Sequence, residues 1–172
     1  MLAALTGFVA TMIFALSGHP MAILFIFLGP TLAIFIHELG HAAAAWRLGM
    51  NVREIAVGPL VLRMKPLRLG FSGRILGRDV GGHVLFDETA GHYLNRNRDA
   101  LITLAGPLAN LLTGVGAYFA AGALLQADAP TARLLGGFAI TSFAAFVLSA
   151  WPHKLDSGRG NDALELYRIL RS

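Results

Sequence analysis

The chain has 172 residues, 55% of them hydrophobic and only 14% charged, with a mean hydropathy of +0.61, too little charge to coat a soluble surface. The apolar residues come in long blocks instead of the stripes of a globular core, so lipid is the expected solvent for much of the chain. The net charge of +4 does not point to nucleic acid, because the basic segments lack interleaved aromatics, and the absence of cysteine excludes disulfides and thiolate metal sites.

Residues 1–17 lack the basic start of a signal peptide and read as a retained membrane helix. Gly18, His19 and Pro20 break the pattern, and a second apolar stretch covers 21–48, with Pro30 starting or kinking its helix. Residues 1–48 read either as two spans or as one long span with a re-entrant piece. The segment 49–98 is polar, glycine-rich and basic, and its pieces REIAVGPLVLRM and DVGGHVLF have the composition of short strands at the membrane surface. A third span is expected over 99–126, broken by Gly106 and Pro107, with Gly114, Gly116 and Gly122 allowing close helix approach. A fourth is expected over 131–151, ending at Trp151 where an interfacial aromatic belongs. The tail, 152–172, is polar and ends in an amphipathic helix.

The expected architecture is therefore a single membrane-embedded domain over 1–172. It is all-α and polytopic, with about four transmembrane helices and a small β-containing surface segment. Lysine and arginine concentrate in 47–98 and 154–171, leaving Arg133 apart. The positive-inside rule then places both segments and both termini on the cytoplasmic side of the membrane.

Within the second apolar stretch, FIHELGHAAAAW contains H-E-x-x-H. His37 and His41 lie one helical turn apart on one face, so both imidazoles reach a single Zn²⁺. Glu38 stands beside the first ligand, in the position of a general base that takes a proton from the attacking water. Two histidines that only hydrogen-bond inside a bundle would be a poor explanation, because three ionisable groups on one turn of an apolar helix are costly in lipid. At about 1.5 Å per residue Glu38 lies about 13 Å along the helix from Arg47, inside the hydrocarbon.

The residues around this motif resemble the site-2 protease family of intramembrane zinc metalloproteases, in the form of a compact prokaryotic-type member. The resemblance runs in order through HELGH, AAWRLGMNVREIAVGP, GGHV, AGPLANLL and a segment with proline and aspartate after the fourth apolar block. It implies a zinc-dependent endopeptidase that hydrolyses peptide bonds of membrane-spanning or membrane-adjacent proteins, with the lipid bilayer as its surroundings. It also implies a third, aspartate ligand beyond Ser149. Asp156 follows the proline closely, as in one form of the family, whereas Asp162 opens an amphipathic helix, as in another. Asp162 is favoured because a carboxylate at a helix N-terminus is stabilised by the helix dipole. The chain departs from the family pattern at Ser149, where asparagine is usual, and at Ala163, where glycine usually follows the aspartate.

Asn110, Gly82 and His83 are the candidate substrate contacts. For Asn110 the alternative is a bond to a neighbouring helix, and for His83 it is a plain surface position. An extended substrate segment is expected to pair with the strand near 81–86. His19, His92 and His153 have no partner pattern and are expected at the interface. The rival functions are an inactive relative that binds membrane helices as a scaffold, prompted by Ser149 and Ala163, and a metal carrier. Carriage does not require a glutamate between the ligands.

Overall fold

The computed structural model describes residues 21–71, 81–87, 96–124, 129–155 and 160–171. The elements in chain order are helix α1 (Met21–Arg47), strands β1 (Asn51–Val57), β2 (Leu60–Met64), β3 (Leu67–Phe71) and β4 (Gly82–Asp87), and helices α2 (Arg96–Leu124), α3 (Ala129–Ala150) and α4 (Asp162–Arg171). One compact unit combines the described residues up to Ala33 with Asn110–Leu148, and the other combines Ile34–Ala109 with the residues from Ser149 onward.

In the second unit α1 stops in a glycine cap. Gly49 adopts φ +81, the Met50 amide donates to Ala45 O at 2.9 Å and the Gly49 amide donates to Trp46 O at 3.0 Å. This pair of bonds satisfies carbonyls orphaned at the helix end and turns the chain into β1. Arg98 at the start of α2 adds a bond to Leu48 O at 2.8 Å.

The strands form one antiparallel sheet in the order β3-β2-β1-β4. β1 and β2 join through Gly58 and Pro59, with Gly58 at φ +53, as a two-residue hairpin turn opening on glycine requires. Ile55 is paired with Leu62 on one side and Val84 on the other, which builds a continuous apolar face. That face packs on α1 and α2 through Ala42, Ala45, Val52, Ile55 and Ile102. Burying Ile55 alone stabilises the unit by roughly 1.5–3 kcal/mol. The alanines on α1 bring the sheet close to the helix that carries the histidines. Gly40 does the same toward α2, where an added Cβ would lie 2.8 Å from Ala109 Cβ.

In the first unit Gly114 of α2 lets Phe143 and Ser142 of α3 approach, and a Cβ there would meet both at 3.2–3.3 Å. Asn110 and Ser142 are fully buried, and the Thr141 hydroxyl donates back to Phe138 O at 2.9 Å. Large apolar side chains of this unit, among them Leu112, Tyr118, Phe119 and Val147, point outward.

The all-α, four-span architecture is corrected by this structure. Among the described residues two helices, Arg96–Leu124 and Pro130–Ala150, are long and apolar enough to cross a membrane. Only 33% and 22% of their apolar windows are buried, which sets them apart from core helices of a soluble protein. α1 fills the stretch of the second expected span. Its described part places His37, Glu38 and His41 in a single turn, and its alanine face is taken by the sheet. The surface segment supplies a four-stranded sheet with its own core, so the fold is mixed α and β. The stretch 1–17 lies outside the described residues.

Candidate metal centre

The 3.6-residue pitch of α1 stacks His37 over His41, with the rings edge to face at 4.7 Å between centroids and their Nε2 atoms 3.1 Å apart. His41 Nδ1 lies 2.7 Å from the carbonyl oxygen of Ile102 on α2. A carbonyl only accepts, so Nδ1 carries a proton, and Nε2 faces the space shared with His37, where it is bare and able to ligate whenever the ring is neutral. Pro107, which has no N–H, interrupts the hydrogen-bond ladder of α2 beside this carbonyl.

Gly106 lies over the two rings. A Cβ there would lie 2.8 Å from His37 Nε2 and closer still to His41 Nε2, so any larger residue would fill the point where the nitrogens converge. Gly40 and Gly106 together explain why small residues recur where α1 and α2 meet.

Asp162, the first residue of α4, completes the group. Its Oδ2 lies 2.8 Å from His37 Nε2 and its Oδ1 3.5 Å from His41 Nε2. One ligand atom from each of the three residues falls within 4.8 Å of the others. With zinc–ligand bonds of about 2.0–2.1 Å, the edge of a tetrahedron is about 3.3 Å, close to the 3.1 Å between the two imidazole nitrogens, and the carboxylate lies within the 4.8 Å span of the group. Burial would raise the Asp162 pKa, but hydrogen bonds from His37 and His41 and their charge outweigh it and hold the carboxyl well below its usual range. Asp162 is therefore an anionic donor, and its side chain is still 24% exposed, which leaves a path for water.

Glu38 is buried at 6% exposure and faces Gly82 on β4. A Cβ on Gly82 would lie 2.6 Å from the Glu38 carboxyl carbon, so the bare backbone of the strand forms the wall beside the carboxyl group. His83, the next residue, points to the opposite face as strand alternation demands, and its Nε2 lies 3.6 Å from Glu54 Oε1 at the exposed side of the sheet. The structure thus brings Gly82 to the site and leaves His83 away from it. Asn110 is fully buried in the other compact unit. His153 is exposed, with Nδ1 2.8 Å from Trp151 O. Asp156, His19 and His92 lie outside the described residues.

Sequence reasoning missed two participants. The Ile102 carbonyl carries no side-chain signature at all. Asn161, which precedes Asp162, is recognisable as a helix-capping residue type.

The family model described as peptidase family M50 matches residues 23–160, which include the H-E-x-x-H turn and stop short of Asp162. A curated relative from Mycolicibacterium smegmatis, named "Putative zinc metalloprotease Rip2", is 32% identical over 94 residues. That match covers 51% of this chain and 36% of the relative, so the chain spans about a third of the relative's length. No solved structure matches the chain.

Proposed function

This chain belongs to peptidase family M50, and from that premise we propose that it is a zinc-dependent endopeptidase cutting peptide bonds of membrane-spanning or membrane-adjacent proteins. The observation that carries the proposal is the convergence of His37, His41 and Asp162, two donors from one helical turn and one from a separate helix, beside a buried glutamate.

The donor set of two imidazoles and one carboxylate, with no thiolate, is one that catalytic zinc takes. When bound, zinc supplies Lewis-acid polarisation of a scissile carbonyl and acidifies water. His41, locked through Nδ1 by the Ile102 carbonyl, and His37 and Asp162 would hold the ion. Glu38 accepts a proton from the attacking water and passes it to the leaving amine. The Gly82 backbone keeps side chains away from the carboxyl group so that a substrate can approach it. Among the described residues β4 pairs on one side only, with β1, so an extended substrate segment has a strand edge to join after its own helix unwinds.

The two apolar helices α2 and α3 support placing the protein in a membrane, with the basic segments 47–98 and 154–171 on the cytoplasmic side. The test is cleavage of a reporter membrane helix by purified protein with measured zinc content, alongside Glu38→Gln. The amide keeps the shape of the carboxyl group but cannot accept the proton. Zinc should stay bound while turnover falls by about 10²–10⁴-fold. Wild-type turnover in that variant would remove Glu38 from the mechanism, and zinc binding without any cleavage by the parent would leave the scaffold reading.

A further inference from the structure

His37 and His41 hold their spacing through the rigid pitch of a single helix, whereas Asp162 arrives from a distant part of the chain, at the first turn of a ten-residue helix with no buried residue of its own. Something other than core packing must fix that carboxylate, and Asn161 is the residue placed to do it.

Asn161 is 8% exposed and its side chain uses its whole hydrogen-bonding capacity. Nδ2 donates to Ser149 O at 3.0 Å, in the last turn of α3, and to Trp151 O at 2.8 Å, immediately after it. Oδ1 accepts from the Leu164 amide at 3.2 Å, the N-cap bond of α4, and from the His153 amide at 3.1 Å. The Asn161 amide returns a bond to His153 O at 3.1 Å, and its carbonyl accepts the Glu165 amide at 2.9 Å. One side chain therefore joins the exit of α3 to the start of α4, and the next residue in the chain is Asp162.

We infer that Asn161 is a positioning residue for the third metal ligand, acting through its two donor bonds to Ser149 and Trp151 and not only as a helix cap. The inference rests on the zinc reading proposed above. The two halves of the amide separate its roles. The oxygen caps α4 and holds the His153 amide, the Asn161 backbone amide holds His153 O, and the NH₂ group supplies the two bonds to Ser149 O and Trp151 O. A ligating side chain has to be held within about 0.5 Å of its productive position, and a helix start held only by its cap and the His153 backbone lacks the two bonds that fix it to Ser149 and Trp151.

The experiment uses the whole 172-residue chain with Asn161→Ser, which keeps an N-cap oxygen and loses both donor bonds, and Asn161→Ala, which loses every side-chain bond. Zinc affinity is measured by competition with a chromogenic chelator, the ligand field by the visible spectrum of the Co²⁺-substituted protein, and folding by thermal melting. Both variants should bind zinc about 10–100-fold more weakly, the range typical of lost outer-shell partners, with an altered Co²⁺ spectrum. Asn161→Ser should melt close to the parent, which shows that α4 is still capped. Recovery of parental zinc affinity and spectrum in Asn161→Ser would reduce Asn161 to a cap and overturn the inference. Failure of the parent itself to bind Zn²⁺ or Co²⁺ would instead overturn the metal reading on which it rests.

Discussion

The backbone of Gly82 lies against the carboxyl group of Glu38, so close that a single Cβ on the strand would lie 2.6 Å from the carboxyl carbon. A sheet residue and a helix residue thereby define one wall of the site. Gly82→Ala should push the carboxyl group out of position while His37, His41 and Asp162 stay together. Cleavage of a reporter helix is expected to drop by at least about 10²-fold, the cost of misplacing a catalytic group, with zinc content unchanged. Parental activity in Gly82→Ala would show that the Glu38 carboxyl has another place to sit.

Gly106 should respond differently. A methyl group there enters the space where the histidine nitrogens converge, so Gly106→Ala is expected to lower zinc affinity itself, by an order of magnitude or more, with α2 intact because alanine favours helix over glycine by about 1 kcal/mol. Chelator competition together with circular dichroism reads both effects. Unchanged zinc affinity would mean that the rings have room to retreat.

The third ligand is open to a direct comparison. Asp162→Ala should weaken zinc binding strongly and abolish cleavage, since it removes the one carboxylate within reach of both imidazoles among the described residues. Asp156→Ala should leave both near parental levels. The reverse pattern would transfer the role to Asp156.

On the membrane placement proposed above, α2 and α3 are two successive spans that would return the chain to the side it left, with the basic segments before α2 and after α3 on one side. Cysteines introduced at Arg68 and Arg168, both exposed, should be shielded from an impermeant thiol reagent in intact cells and react after permeabilisation. Labelling of either from outside would contradict this placement.

What the sequence determined by itself was local. H-E-x-x-H fixes two histidines on one face whatever the rest of the chain does, because the helical pitch is a backbone property. DALELYRIL announces a helix with an acidic first turn, and α4 does begin at Asp162. The basic and apolar blocks are likewise one-dimensional quantities. Tertiary structure decided everything that depends on which segments meet. The pieces that become β1, β2 and β4 were legible, but β3 was not, and neither was their joining into one sheet with a core shared with α1, since pairing joins residues far apart in sequence. That Gly82 and not His83 lies beside Glu38 follows from which face of β4 turns toward α1, and a shift of one residue in register would exchange them. The meeting of Asp162 with His37 and His41 depends on how the chain after α3 is fastened, through backbone carbonyls of Ser149 and Trp151 that leave no trace in residue identity.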